Sequence, residues 1–400
     1  MRKYTFCDII PNTILLVFST TFYVFMNDND LDYFQITVML LATLLFLAKK
    51  EIFPSDLPIY TMITFMFVSI VYTKAFALVP FCYSVAFCCC FLLYKHLVQS
   101  GKFSILNLLK LIKFLIYAYG IVIILQQIAR VTGMPIINGL SAYTDYYRFN
   151  SLSNEPSHTS RILLVLMISY MYIVTNMRGQ KYGLKDIWIK DKMLWGAYLY
   201  TLLTSGSATA FLVIPVTFLY FLRMRNIIWI GGGLMVLIII AINYVTIPAF
   251  LRIKELMNIV FLLDPELISL IDLSAAARIN PPLYYVEDFS VHSLRTWLGW
   301  GYGYAEPMLI ERVLGHPTLF TGGAGGVFPV MFYNYGLLSG CAFLFCLFYY
   351  TYNKKYPFFI IIWFLFFFAT TFNSYMQWLY FCLAYSTIFL CEKNNIKALI

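Results

Sequence analysis

The chain has 400 residues, of which 61% are hydrophobic and 12% charged, with nine cysteines and a formal net charge of +9. Soluble domains carry about twice that share of charge, so the composition excludes an ordinary soluble enzyme and specifies an all-α, polytopic integral membrane protein. Basic residues in such a chain are explained first by orientation in the membrane, and they give no reason to expect a nucleic-acid partner.

Arg2 and Lys3 precede an apolar run from Ile9 to Met26, but no small-x-small cleavage site stands before Asn27-Asp28-Asn29-Asp30, so the run reads as an uncleaved first span. Further apolar runs able to cross about 30 Å of hydrocarbon fall near residues 32–48, 57–74, 75–94, 108–128 and 161–176. The remainder fall near 193–205, 207–222, 227–247, 327–350, 356–372 and 376–391, making about twelve transmembrane helices in a single domain over 1–400. The cysteines have no metal or redox spacing, and those inside spans, such as Cys88, Cys89 and Cys90, read as small buried hydrophobes.

Placing the N-terminus in the cytoplasm and alternating sides puts most lysines inside, from Lys49 and Lys50 through Lys95, Lys185 and Lys190 to Lys393 and Lys397. The short external connections keep only Lys74, Arg130, Arg148 and Arg161. This bias orients the chain with both termini cytoplasmic. Two external segments stand out: 129–160, and a large, partly helical loop at 248–326 between spans nine and ten. Loops of that length are usually functional.

The outside is rich in arginine: Arg130, Arg148, Arg161, Arg252, Arg278, Arg295 and Arg312. Lysine would orient the chain equally well, whereas the planar guanidinium suits bidentate binding of phosphate or carboxylate. The set points to an anionic substrate on the external face, although any one arginine can equally be a structural ion pair.

The densest polar run is Arg148-Phe-Asn-Ser-Leu-Ser-Asn-Glu-Pro-Ser-His-Thr-Ser-Arg161. Ionisable groups gathered at a membrane boundary mark a functional site by default. Glu155 and His158 stand three residues apart, on one face if the sixth helix begins there. The same Asn-Glu-Pro-Ser-His pattern also serves as a helix cap, and both readings stay open.

In the large loop, Leu251–Leu263 has helical periodicity with one apolar face. Asp264-Pro265 then caps a second helix running towards Arg278, which Asn280-Pro281-Pro282 ends. Arg295-Thr-Trp-Leu-Gly-Trp-Gly-Tyr-Gly-Tyr304 alternates aromatics with glycine, as an interfacial belt or a carbohydrate-stacking surface would. A glycine-rich turn, His316 to Gly326, precedes the tenth span, and Asn334-Tyr-Gly-Leu-Leu-Ser-Gly340 lies within it.

Together these pieces resemble the O-antigen and capsule repeat-unit polymerases of the Wzy type, whose superfamily includes the O-antigen ligases. The resemblance rests on the topology, the late external loop and a series of short motifs. These are Arg148…Asn154-Glu155-Pro156…Arg161, Thr204-Ser205-Gly206-Ser207, Ser274…Arg278, Leu298-Gly-Trp-Gly-Tyr-Gly303 and Tyr335-Gly-Leu-Leu-Ser-Gly340. His316 stands far ahead of Gly336, and glycines occupy the intervening position where the ligases carry a histidine, which favours polymerase over ligase.

The resemblance implies glycosyl transfer from an undecaprenyl-pyrophosphate-linked saccharide in the bacterial inner membrane, with a flippase and a chain-length regulator as partners. A lipid pyrophosphate needs charge neutralisation rather than protonation, for which Arg148, Arg161, Arg252, Arg278, Arg295 and His316 are candidates. Glu155 and His158 are the candidate general bases for the acceptor hydroxyl. Neither has a metal-ligand partner at useful spacing, so the reaction is expected to need no metal and no cofactor. A lipid-linked saccharide flippase would show two homologous halves, and a solute transporter would carry its charges at mid-membrane. A membrane acyltransferase would set a histidine–aspartate pair on a span. A non-catalytic assembly protein remains open on sequence grounds.

Overall fold

The computed structural model describes residues 6–21, 32–74, 78–138, 149–221, 264–271, 273–304, 326–367 and 370–399, together with 232, 236, 255, 307–308 and 311–312. Their regular structure is helical. The first half comprises α1 (Phe6–Ser19), α2 (Tyr33–Lys49), α3 (Leu57–Thr73), α4 (Leu78–Gln99), α5 (Ile105–Thr132) and α6 (Pro156–Arg178). Then come α7 (Leu184–Ile189), α8 (Lys192–Thr204), α9 (Ala208–Leu219), α10 (Pro265–Ile271), α11 (Leu273–Glu287) and α12 (Leu294–Leu298). A π turn at Pro329–Asn334 leads into α13 (Gly336–Thr351), followed by α14 (Phe358–Phe367) and α15 (Tyr375–Leu399).

The helix ends follow local chemistry. Asp32 caps α2 by accepting from the Phe34 and Gln35 backbone N–H groups at 2.9 and 3.0 Å, and Ser104 caps α5 through the Asn107 N–H at 3.1 Å. Pro156 opens α6, where its missing N–H costs nothing, and Gly179 closes it in the left-handed region at φ 65°.

Among the described residues, four segments are long and apolar enough to cross a membrane: Pro54–Thr73, Leu78–Gln99, Ile105–Thr132 and Pro156–Arg178. Shorter apolar helices accompany them at Ile9–Ser19, Tyr33–Lys49, Thr209–Leu219 and Gly336–Thr351. Helices α1–α6, α8, α9 and α13–α15 overlap apolar runs of the sequence, and of the ninth run only residues 232 and 236 are described. On α5, Ile116, Tyr119 and Ile123 are buried while Ile121, Ile124, Leu125 and Ile128 are exposed. An exposed stripe of that kind suits lipid rather than water.

The contacts at helix ends give each helix a direction. Past α1, Thr21 donates its backbone N–H to the Leu152 carbonyl at 2.7 Å. At the end of α5, Gln126 accepts from the Ser151 N–H at 2.9 Å. The start of α4 meets the residues before α15 through Ser84 and Asn373, at 2.7 Å. At the other end of α6, Asn176 donates to the Cys391 carbonyl of α15 at 3.1 Å. Thus α4, α6 and α15 run one way, α1 and α5 the other, and the segment Phe149–Glu155 sits at one end of the bundle. The central helix is α6, which packs on α15, α9, α5, α14 and α8.

One expectation for the large loop is overturned. Asp264 does cap α10, accepting from the Glu266 N–H at 2.9 Å, but Pro281 and Pro282 lie inside α11, which runs on to Glu287. A proline inside a helix loses the hydrogen bond to residue i−4 and crowds that residue's carbonyl, at a cost of about 3 kcal/mol. The continuation is anchored by Tyr285, which packs edge-on against Phe328 at 5.4 Å and Tyr333 at 5.1 Å between ring centroids.

The glycine–aromatic stretch is held in place by its backbone. Its backbone joins the residues before α13: Trp300 donates to the Tyr333 carbonyl at 2.8 Å and Gly301 to the Asn334 carbonyl at 3.2 Å. The Trp300 ring packs against Tyr285 and Tyr333 at 6.0 and 5.3 Å. The stretch therefore clamps α11, α12 and α13 together.

Candidate active site

Most of the polar stretch folds itself. Ser151 and Ser153 are fully buried. Ser151, at φ 52°, donates to the Tyr119 carbonyl at 2.7 Å, and Ser153 donates to the Glu155 carbonyl at 2.7 Å. Thr159 donates to the Asn150 carbonyl. Phe149 donates its N–H to the Ser205 carbonyl at 3.2 Å, which brings the Thr204–Ser207 turn against the same segment. These groups are buried and bonded, as buried polar groups must be.

Glu155, His158 and Arg161 behave differently. Glu155 is the cap residue of α6, yet its side chain makes no cap hydrogen bond. It turns instead to Ser157, whose hydroxyl donates to Oε2 at 3.1 Å, and to His158, whose Nε2 lies 3.8 Å from Oε2. The side chain is 46% exposed, against 19% for His158. The capping alternative is thus not realised by the carboxylate.

Arg161 is 1% exposed. Its Nε donates to the Ser157 carbonyl at 3.1 Å, and Nη2 to the Ser157 hydroxyl at 3.1 Å. Glu155, Tyr375 and Arg278 all lie within its electrostatic reach. Arg278 comes from α11 and acts on His158 as well. Four of the residues singled out from sequence, Glu155, His158, Arg161 and Arg278, are therefore brought together at one end of the bundle. A buried guanidinium at Arg161 beside the half-buried one at Arg278 suits a pyrophosphate or carboxylate.

Arg295, by contrast, is exposed on α12 and makes none of the contacts that link this cluster among the described residues. Arg148, Arg252 and His316 lie outside the described residues.

Tyr375 completes the cluster. It opens α15, with its hydroxyl 3.3 Å from His158 Nδ1, and it also engages the Thr21 side chain and the Asn154 backbone. Nothing in its sequence neighbourhood marks it. Only a pairing of the segment before α6 with the start of α15 could have found it.

A second buried polar group lies at the opposite end. Asp56, fully buried just before α3, pairs with Lys95 Nζ of α4 at 2.5 Å and with His96 Nε2 at 2.9 Å. Lys95 also donates to the Ser55 carbonyl at 2.9 Å, and Tyr350 of α13 donates to that same carbonyl at 2.7 Å. The sequence counts Lys95 among the lysines that orient the chain. It is instead a buried tie between three helices, because its position one turn before the end of α4 faces the bundle rather than water.

In the large loop, Arg312 pairs with Asp288 through two hydrogen bonds of 2.9 and 3.1 Å and lies over the Tyr284 ring at 5.1 Å. Burial works against the Arg312 charge, but Asp288 more than offsets it and raises the guanidinium pKa. This arginine is structurally engaged.

Comparison of the chain with protein-family models, with curated proteins and with solved structures finds no match. What stands, among the described residues, is an all-helical chain with helices long and apolar enough to cross a membrane and a cluster of Glu155, His158, Arg161, Arg278 and Tyr375 at one end.

Proposed function

We propose that this chain is a glycosyltransferase that polymerises undecaprenyl-pyrophosphate-linked oligosaccharide repeat units at the outer face of a bacterial inner membrane, as Wzy-type enzymes do. The observation that carries this reading is the meeting of buried Arg161 and half-buried Arg278 with half-exposed Glu155 at one end of the bundle. On this reading that end is external and both termini are cytoplasmic.

The chemistry uses each group once. The acceptor hydroxyl of one lipid-linked unit attacks the anomeric carbon of another and gives its proton to a carboxylate or imidazole base. The bond from that carbon to the pyrophosphate oxygen breaks, and the lipid pyrophosphate leaves with the electron pair. Arg161 and Arg278 stabilise that developing charge, supported by Arg148, Arg252 and His316. The reaction needs no metal and no cofactor.

The test is a strain lacking its native copy, complemented with Glu155→Ala or Arg278→Ala, with the surface polysaccharide run on a gel. Both variants should reach the membrane and leave a single repeat unit on the carrier or lipid core. Full-length ladders in both would remove the assignment. Absence of any external saccharide in the empty strain would favour a flippase, and polymer retained on the lipid carrier would favour a ligase.

A further inference from the structure

Within the transferase reading, on which this inference rests, two groups compete to take the acceptor proton. The contacts of the imidazole distinguish them. His158 Nε2 faces Glu155 Oε2 at 3.8 Å and Nδ1 faces the Tyr375 hydroxyl at 3.3 Å. An ionised carboxylate only accepts hydrogen bonds, whereas a phenol can donate one. A proton on Nε2 satisfies both contacts, and a proton on Nδ1 would leave Nε2 with its lone pair against the carboxylate. Arg161 and Arg278 both act on the ring, so a doubly protonated, cationic imidazole would add a third positive charge beside two guanidinium groups.

The geometry points to Tyr375 as a positioning residue that holds His158 as the neutral Nε2–H tautomer, so that His158 orients Glu155 and Glu155 alone is the base. The order runs one way: Tyr375 donates to His158 Nδ1 at 3.3 Å, and the Nε2–H lies on the Glu155 side, 3.8 Å from Oε2 and beyond hydrogen-bond length. Ser157 donates to the same carboxylate from the other side at 3.1 Å and is itself held by Arg161 at 3.1 Å. Both sets of contacts fall on Oε2. Oε1 is then the oxygen presented to the acceptor hydroxyl. Its proton passes to Oε1, and the O–H electron pair forms the new bond to the anomeric carbon. The anomeric carbon's old bonding pair leaves on the pyrophosphate. Distances of this looseness are usual before substrate tightens a site.

The experiment is nitrogen-15 NMR of the full-length, histidine-labelled protein in detergent micelles without substrate. The chain has four histidines, and the His158 signals are those that disappear in His158→Gln. The expected spectrum has a protonated Nε2 and an unprotonated Nδ1, and in Tyr375→Phe that single tautomer gives way to a mixture. A proton on Nδ1, protons on both nitrogens, or an unchanged tautomer in Tyr375→Phe overturns the assignment. The spectrum of the unmutated protein is decisive by itself should the variant fold poorly. Because no transfer is measured, a negative result leaves the transferase reading intact. Loss of that reading through the Glu155→Ala ladder leaves the tautomer standing.

Discussion

Gly299 and Gly336 face each other so closely that neither has room for a side chain: a Cβ on Gly299 would lie 2.7 Å from the Gly336 nitrogen. Both have positive φ, 88° and 82°. Replacing either with alanine should therefore combine a left-handed backbone penalty of about 1–3 kcal/mol with a steric clash against main chain. The expected outcome is much less folded protein in the membrane for Gly299→Ala and Gly336→Ala, measured by protease resistance. Gly303→Ala should be milder, since its Cβ would meet nothing within 4 Å.

The Asp56–Lys95 pair should behave as a buried ion pair. Removing Asp56 strands the lysine and should destabilise the protein by about 3–5 kcal/mol, whereas replacing both with apolar residues should cost much less. Thermal unfolding of Asp56→Ala, Lys95→Met and the double variant checks this. A double variant as unstable as the sum of the two single ones would show that the pair is not coupled.

At the active site, the guanidinium of Arg278 should matter in shape as well as charge. Arg278→Ala should lower polymer formation by about two to three orders of magnitude if it stabilises the leaving pyrophosphate. Arg278→Lys, which keeps a point charge without the planar fork, should recover only part of that loss. Full recovery would indicate a purely electrostatic contribution. Arg295→Ala, on an exposed residue apart from the cluster, should leave the ladder unchanged.

The proposed orientation makes a separate prediction. Alkaline phosphatase fused after Gly133, at the end of α5, should be active because it is exported. The same enzyme fused after Gly101, at the end of α4, should be inactive. The reverse pattern would place the Glu155 cluster in the cytoplasm and remove lipid-linked polymerisation outside the cell as its function.

Much of this was legible in the sequence wherever partners lie within a helical turn. Glu155, His158 and Arg161 share one face because they are three residues apart along α6, and Pro156 and Gly179 mark that helix's limits directly. The cap at Asp264 was equally local. What was not legible came from pairing between distant helices. Tyr375 and Thr21 look like ordinary residues at helix ends, and only the packing of α1, α6 and α15 brings them to His158. Asp56 and Lys95 were hidden for a different reason. A lysine near a helix end already had an adequate explanation in orientation, so nothing prompted a search for its partner. Pro281 and Pro282 misled because their local effect, loss of a hydrogen bond, is outweighed by the aromatic packing of Tyr285.

The cluster draws Thr21 from beyond the first helix, Glu155 and His158 from the middle of the chain, Arg278 from the large loop and Tyr375 from α15. A ribosome delivers these in order, at about 5–20 residues per second, and Tyr375 emerges only near the end. A nascent chain therefore carries its arginines and carboxylate into the bilayer before the tyrosine that sets the histidine proton has been made. On the transferase reading, the oriented base forms only once α15 has been made. A product cut short before α15 would retain the arginines and carboxylate yet hold no oriented base.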